Sequence, residues 1–177
     1  MHFRRTDVEG AWVVEPETHA DERGRFMRAW CRQELSAHGI EFVPLQANMA
    51  FSRLKGTIRG LHYQVVPAVE AKLVRCTRGS LFDVVVDLRP SSPTYRAWFG
   101  TTLGADDGRM LFLPEGCAHG CQSLEDATEL YYLTSASHSP GEVRGARFDD
   151  PVLGIRWPLP PSLVSVQDRA WPPIGDG

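Results

Sequence analysis

The chain has 177 residues, of which 42% are hydrophobic and 23% are charged, and its formal net charge at pH 7 is −3. This balance is typical of a globular protein, and the length predicts one domain, 1–177. Acidic and basic residues are interspersed, so we expect no nucleic-acid partner. No segment has the roughly 20 apolar residues of a membrane span, and no apolar run indicates a signal peptide. We therefore expect a cytoplasmic protein with no membrane partner.

The predicted elements are short, and almost all are strands. Glycines and prolines divide the sequence into short segments rich in Val, Leu, Phe, Tyr and Thr, which is typical of an all-β protein. A short helix is predicted first, over Arg32 to Ala37, with Gly39 ending it. The predicted strands follow at 56–64, 72–76, 80–88, 96–103, 110–113, 120–123 and 129–135. The proline- and tryptophan-rich tail from residue 149 is predicted to wrap over the body as an extended segment.

The segment from Ser80 to Leu88 indicates how the strands are layered. One face carries Phe82, Val84, Val86 and Leu88, and the other carries Leu81, Asp83, Val85 and Asp87. Two largely apolar faces suit a sandwich or barrel built from two sheets. The preceding strand joins this one through a turn at Arg78 and Gly79. The absence of βαβ alternation, and of a Gly-rich loop after a strand, excludes a parallel nucleotide-binding sheet.

Two histidines and a lysine are the first candidates for chemistry. Strand alternation puts His62 and Gln64 on one face. Lys72 lies in the next strand, where a lysine among apolar residues is rarely buried without a partner or a function. Metal-binding β-barrels typically offer His-x-His and a later histidine such as His119, but Gln64 and the positive charge of Lys72 disfavour a metal. The scattered cysteines lack zinc-site spacing, so no metal is expected.

Nine short motifs follow one another along the chain. They are Asp21-Glu22-Arg23-Gly24, Gln46-x-Asn48, Arg59-Gly60-Leu61-His62-Tyr63-Gln64, Ala71-Lys72-Leu73-Val74, Asp83-Val84-Val85-Val86-Asp87-Leu88-Arg89, Ser92-Pro93-Thr94, Pro114-Glu115-Gly116-Cys117-Ala118-His119-Gly120, Asp150-Pro151 and Trp157-Pro158. In this order, over nearly the whole chain from Met1 to Trp171, they resemble the dTDP-4-dehydrorhamnose 3,5-epimerase family.

This resemblance implies a cupin, which is a double-stranded β-helix jelly roll, here with one or two short helices. It also implies a homodimer with exchanged N-terminal strands and no metal or organic cofactor. The implied activity is that of an isomerase, which epimerises C3, C5 or both in a nucleoside-diphosphate 4-keto-6-deoxy sugar of the dTDP-4-dehydro-6-deoxyglucose type, in deoxysugar biosynthesis. Hydrogens on these carbons are α to the ketone, so a base can remove them if the enolate oxygen is stabilised.

The resemblance implies a catalytic role for four residues. His62 matches the base, and Lys72 matches the group that stabilises the enolate. Asp168 matches the aspartate that orients the histidine. Tyr132 matches the acid that returns a proton from the opposite face. Tyr131 is its rival, because strand alternation lets only one of the two face the pocket, and the spacing to the downstream Ser-Pro turn favours Tyr132.

Further residues are implied as substrate-binding. They are Arg23, Phe26, Arg28, Gln46, Asn48, Arg59, His119 and His138. Arg59 and Arg23 match positions that hold the diphosphate and the nucleotide, in keeping with the fixed fork of donors in arginine. Asp83 is expected to hydrogen-bond His119 or His62.

Two positions depart from the family pattern. Arg28 stands where the family usually carries a glutamate near the nucleobase, and His138 stands where many members have a tyrosine. Our hypothesis is that proton transfer is retained while nucleotide choice, or the balance between C3 and C5 epimerisation, has shifted.

Other functions remain open at this point. One is a 3-mono-epimerase or a 3,4-ketoisomerase acting on a CDP- or GDP-activated sugar. Another is a metal cupin with isomerase or dioxygenase activity, which Gln64 and Lys72 disfavour. A catalytically silent sugar-binding cupin is the last, although such a protein is expected to have lost the base or the acid, and both are present.

Overall fold

The computed structural model describes residues 1–175, and residues 176 and 177 of the predicted domain lie outside the described residues. The strands are β1 (His2–Arg5), β2 (Trp12–Glu15), β3 (Thr18–Asp21), β4 (Gly24–Met27), β5 (Gln46–Ser52), β6 (Thr57–Gln64), β7 (Lys72–Arg78), β8 (Ser80–Asp87), β9 (Trp98–Gly104), β10 (Met110–Leu113), β11 (Cys117–Ser123), β12 (Thr128–Thr134), β13 (Val143–Gly145) and β14 (Leu163–Val164). The α-helices are α1 (Arg32–Ser36) and α2 (Val166–Ala170). The prediction of an all-β fold with one or two short helices is confirmed.

Two sheets pack face to face. The first sheet has the order β1-β2-β10-β7-β12-β5, and the second has the order β13-β6-β11-β8-β9, with β14 parallel to β6. Buried side chains from both sheets meet in one core, which includes Val13 and Val74 from the first sheet and Val85 from the second. This is the jelly roll of the cupins, as the family resemblance implied.

Strand β8 follows the alternation that the sequence predicted. Leu81 and Val85 face the core between the sheets. Val84 and Val86 pack on the opposite face with residues of the tail. Each of these four side chains is at most 1% exposed, and full burial of such a side chain contributes about 1.5–3 kcal/mol. The second sheet is therefore covered on both faces at β8, which lies between β11 and β9.

The seven predicted strands correspond to β6 through β12. The turn at Gly79 is also present, and this residue has a φ of +71° that favours glycine. The strand predicted from Arg96 begins instead at Trp98, because Arg96 has a φ of +68° and is not extended. Strand β11 begins at Cys117 rather than at Gly120, since Cys117 already pairs with β8.

Helix α1 covers part of the outer face of the first sheet. It spans Arg32–Ser36, close to the predicted 32–37, and Gly39 has the positive φ that ends such a helix. Leu35 from the helix and Phe42 from the following loop pack with Phe112 of β10. Phe42 and Phe112 meet edge to face with ring centroids 5.6 Å apart.

The tail after residue 148 lies over the second sheet, as predicted. The buried carboxylate of Asp150 accepts hydrogen bonds from the backbone N–H groups of Val152 and Ile174, at 2.8 Å and 2.6 Å. Trp157 packs on the sheet, and its Nε1 donates to the carbonyl of Phe148 at 2.8 Å. The tail is not extended throughout, however, because helix α2 interrupts it.

The sequence interpretation also placed no strand before residue 56, whereas β1, β2 and β5 belong to the first sheet. Strands β3 and β4 form a separate hairpin whose side chains are almost all exposed. Within residues 1–175, no helix is both long enough and apolar enough to cross a bilayer.

Candidate active site

A cleft opens between the two sheets and is lined by the inward side chains of β5, β6, β7, β11 and β12, together with α2. It consists of two chambers of about 500 and 610 Å³. Both chambers are lined by His62, Lys72, Tyr132 and Gln167, so the two form one continuous space at these residues. This size is in the range of small-molecule sites.

His62 lies on β6 and forms a hydrogen-bonded pair with Asp168. Its Nε2 is 2.5 Å from Asp168 Oδ1, across 106 residues of sequence. Helix α2 brings the aspartate there: it begins after Ser165, whose Oγ accepts a hydrogen bond from the backbone N–H of Asp168 at 3.0 Å. The backbone N–H of Gly60 donates to Asp168 Oδ2 at 3.3 Å. The pairing expected from the sequence is therefore present.

The electrostatics of the pair suit a base. Burial by itself raises the pKa of the Asp168 carboxyl, but the hydrogen bonds from His62, Gly60 and Ser165 outweigh burial and lower it. Asp168 is therefore a carboxylate at neutral pH, and its oxygen accepts the Nε2–H of the ring. This leaves Nδ1 of His62 to accept a proton, while the carboxylate stabilises the imidazolium that forms.

Tyr132 enters the cleft from the facing sheet, on β12. Burial raises the pKa of its hydroxyl, and the negative charge of Glu70 raises it further. The hydroxyl therefore remains protonated at neutral pH and can donate. Tyr131 is not among the residues that line either chamber, so of the two neighbouring tyrosines it is Tyr132 that faces the cleft. Its role as the acid stays a prediction.

Lys72, at the start of β7, projects into the cleft beside Tyr132. Its Nζ is 3.0 Å from Glu70 Oε1, and the two side chains are only 9% and 10% exposed. Sequence reasoning expected a partner for this lysine but did not single out Glu70. The available signal was the acid two positions away in Glu70-Ala71-Lys72, a spacing that alone does not indicate burial.

A second histidine–aspartate pair lies next to the first. His119 on β11 is the cross-strand neighbour of His62 on β6. Its Nε2 is 2.8 Å from Asp83 Oδ1, and Asp83 is fully buried. Of the two partners that the sequence left open for Asp83, the structure therefore selects His119. His119 lines the chamber that also contains Arg59.

The other predicted binding residues on the cleft side are Arg59, Asn48, His138 and Gln46. Arg59 donates to the carbonyl of Phe51 at 2.7 Å, which holds the guanidinium at the rim of the first chamber. Asn48 and His138 line the second chamber. Gln46 does not line it, but its Oε1 accepts the backbone N–H of His138 at 2.7 Å. Gln46 thus fixes the loop that carries His138.

Three predicted binding residues lie outside the cleft of their own chain. Arg23 is on the β3–β4 hairpin and is bound to Asp21 at 2.6 Å, while Phe26 is 69% exposed. Arg28 is bound to Glu34 at 2.7 Å. Their roles in substrate binding stay predictions, because none of the three lines either chamber of the cleft.

Gln167 was missed by sequence reasoning, although it lines both chambers. The only signal was its position beside Asp168, and neighbours in a helix point in different directions.

Among residues 1–175, no three His, Cys, Asp or Glu side chains come close enough together to hold a metal ion.

The site has an oriented histidine on one sheet, and a protonated tyrosine and a lysine on the sheet that faces it. Groups of these kinds can remove a proton from a carbon next to a polarised carbonyl and return one to it. The fold and the site together therefore define an acid–base enzyme of the cupin class.

Comparison with known proteins identifies the family. The sequence profile of the dTDP-4-dehydrorhamnose 3,5-epimerase family matches residues 5–176. A dTDP-4-dehydrorhamnose 3,5-epimerase of Shigella flexneri is 40% identical over 171 residues, covering 95% of this chain and 93% of that protein. A dTDP-4-dehydrorhamnose 3-epimerase of Streptomyces niveus is 41% identical over 172 residues, covering 96% and 82%.

A solved structure agrees. The Bacillus anthracis dTDP-4-dehydrorhamnose 3,5-epimerase with TDP and PPi bound is 35% identical, superposes with a TM-score of 0.94, and covers 98% of this chain and 99% of its own. The chain belongs to the dTDP-4-dehydrorhamnose 3,5-epimerase family, whose members are isomerases.

Proposed function

We propose that this protein epimerises a dTDP-activated 4-keto-6-deoxy sugar at C3, C5 or both, in deoxysugar biosynthesis. The observation that carries the proposal is the position of the candidate base and acid on opposing walls of one cleft. His62 comes from the second sheet and Tyr132 from the first. A sugar ring held between the sheets has one of these groups on each face, which is what inversion of a stereocentre requires.

The proposed reaction balances in protons. His62 removes the hydrogen α to the C4 ketone, and the electron pair of the C–H bond becomes the enolate, with negative charge on O4. Lys72 stabilises that oxygen with a positive charge. Tyr132 then donates its proton to the same carbon from the opposite face. The histidinium and the tyrosinate return to their starting states by proton exchange with water.

Binding of the nucleotide is the second part of the proposal. Arg59, whose guanidinium is at the rim of the first chamber, holds the diphosphate with its fork of donors, and His119 beside it contacts the sugar. The dTDP moiety is proposed because the three epimerases compared above are named for dTDP sugars and the Bacillus anthracis structure contains TDP. Asn48 supplies a polar contact in the second chamber.

Arg28 is proposed to affect nucleotide choice, since it replaces the glutamate that the family usually carries. Titration calorimetry with dTDP, CDP and GDP tests this directly. Weak dTDP binding with tighter CDP or GDP binding supports the idea. Tight dTDP binding by the wild type, together with unchanged nucleotide affinities in Arg28→Glu, would contradict it.

A homodimer is proposed as well. Strand β5 is an edge of the first sheet, and its outward side chains Met49 and Phe51 are exposed, as is Phe26 on the β3–β4 hairpin. Exchange of this hairpin would bring Arg23 and Phe26 to a neighbouring cleft. Light scattering is expected to give about twice the chain mass of 19.8 kDa. A monomer at all concentrations would contradict the dimer and these two binding roles.

The deciding experiment measures solvent deuterium in dTDP-4-keto-6-deoxyglucose by mass spectrometry and position-resolved NMR. Exchange at C3 and C5 that is lost in His62→Ala identifies a 3,5-epimerase, and exchange at C3 alone identifies a mono-epimerase. No exchange by folded protein refutes the proposal for this substrate. A 3,4-ketoisomerase would be recognised by a product whose ketone has moved.

The cytoplasmic location stays a prediction, which fractionation of the source cells would test.

A further inference from the structure

Glu70 is a nearly buried acid in the cleft that the proton-transfer scheme does not use. It lines the second chamber with His62, Lys72 and Tyr132. Its carboxylate is 3.0 Å from the Lys72 ammonium. An acid that is paired with the proposed enolate stabiliser and shares a chamber with the proposed acid can affect both.

We propose that Glu70 is a positioning residue of the epimerisation, which holds the Lys72 ammonium where O4 develops negative charge and places its own charge beside Tyr132. This inference rests on the proposed function above. Its first support is the ion pair. Removing a charge from water is costly unless it is paired, and at about 10% exposure Glu70 is the partner that compensates Lys72.

The geometry leaves Lys72 free to act. An ammonium has three N–H donors, so pairing with the single carboxylate of Glu70 leaves N–H groups that can be directed to the substrate. The backbone that carries the pair is also fixed. The N–H of Ala71 donates to Ser135 Oγ at 2.8 Å, and the N–H of Ser135 donates to the carbonyl of Ala71 at 3.0 Å. Glu70 therefore extends from a segment tied to the end of β12, the strand of Tyr132.

The second support is electrostatic. After burial, the charge of Glu70 makes the largest contribution to raising the pKa of Tyr132, and Arg59 acts in the opposite direction. The titratable and charged groups that line the cleft around Tyr132 are Glu70, Lys72, Arg59, His62, Tyr63, His119, Cys121, His138 and Asp168. Without the negative charge of Glu70, the positive charges of Lys72 and Arg59 would be offset less at the Tyr132 hydroxyl. The phenol would then lose its proton at a lower pH.

Glu70→Gln tests the proposal because it removes the charge and keeps the size of the side chain. We expect kcat for deuterium exchange to fall about 10- to 100-fold, as for a misplaced catalytic group, with KM nearly unchanged. The basic limb of the pH profile should move to lower pH. Glu70→Asp, which keeps the charge, should return the basic limb of the pH profile towards its wild-type position. Glu115→Gln is the matched control, since it removes the same charge from an exposed turn outside the cleft.

A titration without substrate separates this inference from the proposed function. The ionisation of Tyr132 is obtained from the ultraviolet difference between wild type and Tyr132→Phe, and again in the Glu70→Gln background. A lower midpoint in the Glu70→Gln background supports the charge effect even if wild type catalyses no exchange, in which case only the proposed function fails. An unchanged midpoint together with an unchanged kcat overturns the inference. A pure KM effect would also overturn it, since Glu70 would then bind substrate directly.

Lys72→Met identifies the route of the effect. If Glu70 acts largely through Lys72, the loss caused by Glu70→Gln should be much smaller in the Lys72→Met background than in wild type. Fully additive losses would contradict positioning through this lysine. Circular dichroism and thermal unfolding of each variant show that the fold is retained.

Discussion

The ring of Trp171 stands edge-on to the ring of His62, with 6.3 Å between the ring centroids and 69° between the planes. Trp171 follows helix α2 and lies over Gly145, which pairs with His62 between β13 and β6. The indole therefore packs against the proposed base from the side of the tail, next to Asp168. The indole fits in this position because Gly145 has no side chain.

We expect Gly145→Ala to slow deuterium exchange by about tenfold or more, because a 1 Å misplacement of a catalytic group is costly. A Cβ at this position would come within 2.2 Å of the Trp171 ring, so the ring has to move away from His62. Gly141→Ala is the matched control, since nothing lies within 4 Å of its added carbon. Equal rates for the two variants would mean that Trp171 does not position the base.

Asp168→Asn is expected to lower kcat/KM by at least about 100-fold while the protein stays folded. The amide has nearly the size of the carboxylate, but it cannot stabilise the imidazolium and favours the wrong ring tautomer, an effect known to be large in histidine–aspartate pairs. Exchange kinetics with the 4-keto sugar measure this loss. A rate near that of wild type would show that His62 needs no negative partner.

His138→Tyr is expected to raise exchange at C5 relative to C3. His138 lines the chamber next to Tyr132, and the substitution restores the phenol that many family members have at the matching position. Position-resolved NMR of the deuterated product gives the ratio in one experiment. An unchanged ratio would assign the C3 and C5 balance to other residues.

Acid is expected to destabilise the fold partly through Asp87. Burial by itself raises the pKa of this carboxyl, but hydrogen bonds from Arg89, Ser92 and Thr94 outweigh burial and lower it from 3.8 to about 2. A lowered pKa contributes stability above the unfolded pKa, and here roughly 2 kcal/mol should be lost as the pH falls from about 4 towards about 2.

Urea unfolding of wild type and Asp87→Asn at several pH values checks this expectation. The variant should be less stable at pH 7 by an amount of that order, and its stability should depend less on pH below about 4. If the free energies of unfolding of the two proteins ran parallel as a function of pH, Asp87 would have no part in acid unfolding.

Strands β6 through β12 could be predicted because their apolar residues alternate or form short runs between turn residues. The segments before them could not, since a strand such as Thr18–Asp21 is exposed at every position and has no apolar face. Helix α2 was missed because five residues are too few to show a period of 3.6 and, unlike α1, it has no glycine close after it to mark its end. Glu70 was missed because burial of an acid leaves no local sequence signal.

By itself, the sequence determined the all-β class and, through its ordered motifs, the family and the residues that match the family's base, acid, lysine and aspartate. Strand alternation indicated that only one of Tyr131 and Tyr132 faces the pocket, and the spacing to the downstream Ser-Pro turn favoured Tyr132. The tertiary structure decided which side chains meet: His119 rather than His62 as the partner of Asp83, Glu70 as the partner of Lys72, and Trp171 against His62. The first and the last of these contacts join residues that are far apart in the chain, and they depend on how strands pair within the second sheet and on how the tail folds over it. The Glu70–Lys72 pair is close in sequence, but its spacing alone does not indicate that both side chains are buried in the cleft.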